Sequence, residues 1–251
     1  MKTTRRRFLQ LGASGVALIG LAPLSAAASR RNVNLGFSLY GMKSLPISRA
    51  FAACKQIGYD NVELALITGF PTDPAILTSA LRAEVRQEAR TAGLRISSLL
   101  ANLSLAADDT SHRAHLDVLR RAAEFAAEID PTAPPVIQTV LGGKPEEWES
   151  LRNVMATRLN AWNEIARDHG VTVAMKAHVS GAVNTPDRLL WLLQHARGAN
   201  LAAAYDYSHY ALAGLSIESS LRPLTNHLRF VHLKDAEGDP CLLYTSPSPR
   251  D

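Results

Sequence analysis

Short apolar runs and longer helical stretches alternate along most of the chain. Residues 34–39, 61–66, 95–100, 136–140, 172–176, 201–206 and 229–233 form apolar runs bounded by turn residues and read as buried strands. Between them, apolar positions recur at helical spacing over 48–57, 74–92, 111–129, 146–169 and 186–196, with a weaker repeat over 217–224. The helix ends are marked. Gly58, Gly93 and Gly170 each stand between a helical repeat and the next apolar run, where a left-handed residue closes a helix. Asp73-Pro74 and Thr185-Pro186 put a capping side chain before a proline suited to the first helical position. Pro145-Glu146-Glu147 places acids in a first turn, where the helix dipole favours them. Strand, helix and strand repeated in this way predict a parallel sheet with helical crossovers. Seven strands fit either an open doubly wound sheet or an eight-stranded barrel lacking its last unit. No G-x-G-x-x-G follows the first strand, which weighs against dinucleotide binding.

The polar residues inside the runs favour the barrel. Strand side chains alternate between faces. Ala174 and Lys176 then share a face with His178 just beyond, Ala204 shares one with Asp206, and Phe230, His232 and Lys234 share another. Glu63 lies inside the second run, Gln138 inside the fourth, and His209 follows Asp206 by three residues. Each polar group sits at or near the C-terminal end of its strand. In a (β/α)8 barrel those ends converge on one mouth, so groups from different strands can meet at a point. Singly, each has an ordinary structural explanation, such as a surface ion pair or a loop cap. Their repetition in register on successive strands predicts an α/β fold of the (β/α)8 type, C-terminally incomplete, with about seven strands present.

The two ends of the chain read differently from the middle. Thr4-Arg5-Arg6-Arg7-Phe8-Leu9 precedes an apolar run and then Ser25-Ala26-Ala27-Ala28, which resembles a twin-arginine export signal cleaved after Ala28. Expected partners are therefore the twin-arginine export machinery and a small carbohydrate, with a periplasmic location. The whole chain carries a formal charge of +4, and residues 1–28 hold Lys2, Arg5, Arg6 and Arg7 without an acid, so the remainder is neutral. A neutral domain has no general electrostatic footprint for nucleic acid. Cys54 falls on a helical apolar face and reads as core, and Cys54 and Cys241 show no zinc or redox spacing. The last stretch, CLLYTSPSPRD from Cys241, continues no pattern and resembles non-native read-through. It is expected to lie outside a barrel domain of residues 29–240.

Three motifs carry a family resemblance: Gly58-Tyr59-Asp60-Asn61-Val62-Glu63-Leu64, Asp206-Tyr207-Ser208-His209 and Val231-His232-Leu233-Lys234-Asp235. Together, over roughly residues 32–240, the chain resembles the xylose-isomerase-like TIM barrels, which include sugar isomerases, sugar-phosphate isomerase/epimerases and abasic-site endonucleases. The resemblance implies a divalent metal (Mn, Mg or Zn) in the mouth, with Asp206 and His232 matching ligands and His209 a contacting histidine. It implies an isomerase acting by metal-assisted proton transfer. Catalytic candidates are Lys176, His178 and His209, and substrate-binding candidates are Glu63, Gln138, Lys234 and Asp235. The chain departs from the family where a carboxylate is usual on the fifth strand, because Lys176-Ala177-His178 stands there. The eighth-strand Glu of the family has no counterpart before Pro240. Three readings follow: an isomerase with an altered metal site, a metal-free enzyme using Lys176 as base or Schiff-base amine, or a non-catalytic sugar-binding barrel in which Lys176 replaces the metal's charge. The endonuclease reading ranks below these, because NVELAL and RISSLL carry none of the extra histidines that a multi-metal cluster needs.

Overall fold

The computed structural model describes residues 33–196 and 198–234. The expected export signal, Asp235, Cys241 and the suspected tail lie outside the described residues. Seven strands, β1 (Gly36–Ser38), β2 (Asn61–Leu66), β3 (Arg95–Ala101), β4 (Val136–Val140), β5 (Val173–Lys176), β6 (Leu201–Asp206) and β7 (Leu228–His232), form one sheet in sequence order. Every neighbouring pair is parallel. Helices α1 (Ile47–Ile57), α2 (Ser79–Ala92), α3 (Asp109–Ile129), α4 (Trp148–Asp168) and α5 (Pro186–His195) make the crossovers, and α6 (Tyr207–Leu212) and α7 (Ile217–Leu221) lead into β7.

The sheet curls strongly. Glu63 on β2 and His232 on β7 are five strands apart, yet His232 Nε2 lies 3.1 Å from Glu63 Oε1. In a flat sheet those strands would be about 24 Å apart. The curl therefore gives the sheet an inside and an outside. Outward side chains such as Leu64, Leu99, Ile137, Met175 and Ala203 are fully buried in the main core with Phe51, Phe125 and Trp162 of the helices. The inside has little room, and there Ala174, Ala202 and Ala204 pack with Val136 and Phe230. This is an incomplete (β/α)8 barrel, as the sequence predicts. β1 and β7 are its edges, and the outward Val231 on β7 is 45 % exposed.

Two irregularities in register serve the mouth directly. Between β2 and β3 the pairing runs Val62↔Ile96, then Glu63↔Ser98, so Ser97 is bulged out and Ser98 comes beside Glu63. Between β6 and β7 it runs Ala203↔Leu228, then Ala204↔Phe230, so Arg229 is skipped and His232 comes opposite Asp206. A one-residue slip turns every side chain to the other face. Without the second bulge, Val231 would oppose Asp206.

The predicted bounds of β2, β4 and β6 hold, and Cys54 is buried in α1. The predicted helix 74–92 starts late. Asp73 caps a local turn instead, its carboxylate accepting from the Gly69 and Ala75 amides, and Thr78 caps α2 by accepting from Leu81 N. Residues 145–147 form a 3-10 turn ahead of α4, not its first α-turn, and 222–227 are 3-10 rather than a continuation of α7. Gly58, Gly93 and Gly170 all have positive φ, as closing residues should. Among the described residues no helix is long and apolar enough to cross a membrane.

Candidate active site at the barrel mouth

The mouth is built by inward positions at the C-terminal strand ends. Glu63 is 3 % exposed and its carboxylate is surrounded by donors. Oε1 accepts from Ser38 Oγ of β1 at 2.6 Å, and Oε2 accepts from Ser98 Oγ of β3 and Gln138 Nε2 of β4, each at 2.8 Å. Burial alone would raise its pKa, but His232, Ser38 and Ser98 hold it below the ordinary carboxylate value. An ionised Glu63 accepts, so His232 Nε2 carries the proton and donates to it at 3.1 Å. His232 Nδ1 is then the acceptor side of the ring, and Lys176 Nζ lies 3.5 Å from it.

Asp206, 1 % exposed, is the second buried carboxylate. Its Oδ1 accepts from Ser208 Oγ at 2.6 Å. Its Oδ2 faces Lys234 Nζ at 2.8 Å, Lys176 Nζ at 3.6 Å, His209 Nε2 at 3.6 Å and His232 Nδ1 at 3.9 Å. Burial opposes ionisation here too, yet Lys234 and then Lys176 hold the Asp206 carboxyl well below the usual range. The Lys176 pKa is lowered as well, which for an amine disfavours the charged form: burial lowers it, and Asp206 only partly restores it.

The His178 and His209 rings lie against each other with centroids 4.1 Å apart and planes tilted by 44°. The Ser180 amide and hydroxyl both reach His178 Nδ1, at 3.3 and 2.9 Å. Burial pushes the His178 imidazole down to about 4, helped by Lys176 and Lys234, and pushes His209 down to about 3 despite Asp206. Both rings are therefore neutral near pH 7. His209 is 1 % exposed, and neither of its ring nitrogens has a hydrogen-bond partner among the described residues; the same holds for Gln138 Oε1.

The two histidines make stability depend on pH. Unfolded, each titrates near 6.5; folded, each resists protonation until well below that. The folded pKa is depressed, so this stability is fully present above about pH 6.5 and is lost as pH falls toward 3. The expected slope is at most about 1.4 kcal/mol per pH unit per histidine. Urea unfolding at pH 7.5, 5.5 and 4.5 should show the fall, and His209→Phe should flatten it. A stability unchanged from pH 7.5 to 4.5 would contradict this assignment.

The structure brings eight predicted site residues to one mouth: Glu63, Gln138, Lys176, His178, Asp206, His209, His232 and Lys234. Asp235 lies outside the described residues. Lys234, expected to bind substrate, reaches in to Asp206. Sequence reasoning missed Ser38, Ser98 and Ser208. For Ser38 the signal was its place at the C-terminal end of β1, opposite Glu63; Ser98 is brought beside Glu63 by the bulge at Ser97. Ser208 lies two residues after Asp206, on the unforeseen helix α6.

The implied divalent ion would need Asp206 and His232 as ligands. Asp206 Oδ2 is faced by two lysine nitrogens, and both nitrogens of His232 face protein groups. Among the described residues no group of three His, Cys, Asp or Glu side chains is arranged to hold a metal. Unit charges 4 Å apart near a protein surface interact by about 4 kcal/mol, and a dication beside an ammonium by about twice that, repulsively. This donor set does not fit a dication.

The profile of the family described as xylose isomerase-like TIM barrel matches residues 51–241. The chain belongs to that family. No curated protein matches it. Among solved structures, the probable 3-DHS dehydratase AsbF of Bacillus anthracis is similar with a TM-score of 0.70 and 17% identity, over 87% of this chain and 81% of that one. A D-psicose 3-epimerase crystallised in the presence of D-fructose is similar with a TM-score of 0.67 and 16% identity, over 80% of this chain and 72% of that one. A Mycobacterium smegmatis xylose isomerase-like TIM barrel protein in complex with magnesium has a TM-score of 0.66 and 15% identity, over 84% of this chain and 78% of that one. At these identities the likeness is one of fold.

Proposed function

We propose that the barrel mouth binds a small carbohydrate and interconverts its carbonyl and hydroxyl isomers by moving a proton at the carbon beside the carbonyl. One observation carries this: the His232 ring stands between two buried carboxylates, held through Nε2 by Glu63, with its other nitrogen turned toward Lys176 beside Asp206. Glu63 fixes the ring and its tautomer. His232 Nδ1 takes the proton from carbon. The electron pair moves onto the carbonyl oxygen, and Lys176 and Lys234 stabilise the resulting enediolate charge. Return of the proton from His232 to the neighbouring carbon, as that carbon's hydroxyl proton passes to the former carbonyl oxygen, isomerises the sugar. Protonation of the first carbon from its opposite face by a lysine ammonium epimerises it, His232 and that lysine then resetting their protons through solvent. The His209 nitrogens and Gln138 Oε1, without hydrogen-bond partners among the described residues, are buried polar atoms that sugar hydroxyls can satisfy. The epimerase among similar folds supports a carbohydrate as the substrate class.

His232→Gln keeps a polar side chain and removes the base. It should lower turnover of the best sugar about 100-fold or more, with KM changed far less. Steady-state kinetics on a panel of ketoses and aldoses checks this, and unchanged turnover in the variant would overturn the assignment. The packing of both lysines on Asp206 also favours a second reading, a barrel that binds sugar without converting it. Saturable sugar binding with no turnover of any panel member would establish that alternative.

A further inference from the structure

We infer that Lys176 and Lys234 supply the positive charge that a divalent cation would bring to this mouth, so that sugar oxygens are held there without a metal. The inference rests on the proposed sugar site and says what cation that site uses. Lys176 ends β5 opposite Ala204, whose methyl group leaves its long side chain room to run along the barrel interior. Its side chain is 8 % exposed, and its nitrogen lies between Asp206 Oδ2 at 3.6 Å and His232 Nδ1 at 3.5 Å. A cation ligated by Asp206 and His232 would have to share that space. Lys234 arrives from the end of β7 and meets the same Asp206 oxygen at 2.8 Å.

Charge balance points the same way. Among the described residues the buried carboxylates of the mouth are Glu63 and Asp206, and Lys176 and Lys234 both face Asp206. Among the described residues two acids then stand against two bases, with no excess negative charge to draw in a dication. Glu63 has no room as a ligand either, since its two oxygens already accept from Ser38, Ser98, Gln138 and His232. Lysine nitrogens can still do part of a cation's work, donating hydrogen bonds to a carbonyl oxygen and its neighbouring hydroxyl.

The test is direct binding of Mn²⁺, and separately Zn²⁺, to the full chain by calorimetry and by elemental analysis after desalting. The wild type should retain no stoichiometric ion. Lys176→Glu replaces the nitrogen beside Asp206 with a carboxylate, and should bind Mn²⁺ more than about tenfold more tightly than the wild type. Sugar binding by the wild type should be the same with and without EDTA. Stoichiometric retention of a divalent ion by the wild type, lost in Asp206→Asn, would overturn the inference. So would sugar binding abolished by EDTA and restored by Mn²⁺. If Lys176→Glu does not fold, the wild-type titration decides alone. If the wild type binds neither metal nor any sugar, the proposed sugar site fails while the metal result stands.

Discussion

Asp206→Ala should destabilise the protein by about 3–5 kcal/mol, the cost of breaking a buried ion pair from one side. Asp206 is almost fully buried, and its Oδ2 is the shared counter-charge for Lys176 and Lys234. Removing it leaves the Lys176 nitrogen in a site where its side chain is only 8 % exposed, with no other carboxylate of the described residues within ion-pair distance. Lys234 suffers less, because 39 % of its side chain reaches solvent. Against a typical total of about 5–15 kcal/mol, such a loss decides whether the domain folds at all. The lost energy belongs to the unpaired charge rather than to the pair as such. Asp206→Leu combined with Lys176→Met should therefore recover most of it, since apolar replacements of a buried pair are often neutral. Urea unfolding followed by circular dichroism measures both variants. A loss under about 1 kcal/mol in Asp206→Ala would show that the lysines do not depend on it.

Glu63→Ala should have an effect of similar size for a different reason. Here it is donors that are stranded. Ser38, Ser98, Gln138 and His232 all give hydrogen bonds to the Glu63 oxygens, and Ser98 and Gln138 are fully buried. A hydrogen bond to a charged group contributes about 1.5–3 kcal/mol, and these four are coupled, so a loss of about 3–5 kcal/mol is expected rather than their sum. Glu63→Gln keeps the shape and offers one good acceptor, but turns an NH2 toward groups that are themselves donors. Both variants should also free the His232 ring, so any turnover should fall further than stability explains. Comparing unfolding energies with kcat in the two variants checks both parts. A fully stable Glu63→Gln with unchanged kcat would remove Glu63 from the account.

The pattern of apolar runs made the barrel legible because a parallel sheet, buried on both faces, writes each strand as a compact block. β2, β4 and β6 therefore emerge with their bounds intact. The convergence of Glu63, Lys176, Asp206 and His232 was legible for the same reason: alternation assigns the inward face, and parallel strands bring like ends together. Local competition hid other features. Asp73-Pro74 looks like a helix start, but the Asp73 carboxylate is used by the turn around it, and helix α2 waits for Thr78. Helix α6 is six residues long, too short to display a period, and polar where it begins. The two bulges leave no mark in composition, yet they turn Ser98 toward Glu63 and His232 toward Asp206. Ser38, Ser98 and Ser208 were overlooked because serine is common and carries no charge to advertise a site. The direction of the Lys234 side chain was equally hidden. An exposed strand end suggests a solvated rim, but Lys234 lies two residues beyond His232, which pairs with Asp206 on the neighbouring strand, and its amine turns back to that carboxylate.

The most direct test of the proposed chemistry is exchange of carbon-bound hydrogen in D2O. The full chain is incubated with a panel of ketoses and aldoses in chelator-treated buffer, and each sugar is followed by proton NMR. The account predicts that at least one sugar loses its proton signal at the carbon beside the carbonyl, with isomer appearing alongside, and that His232→Gln abolishes both. Tight sugar binding without exchange at any carbon, or exchange undiminished in His232→Gln, would contradict it.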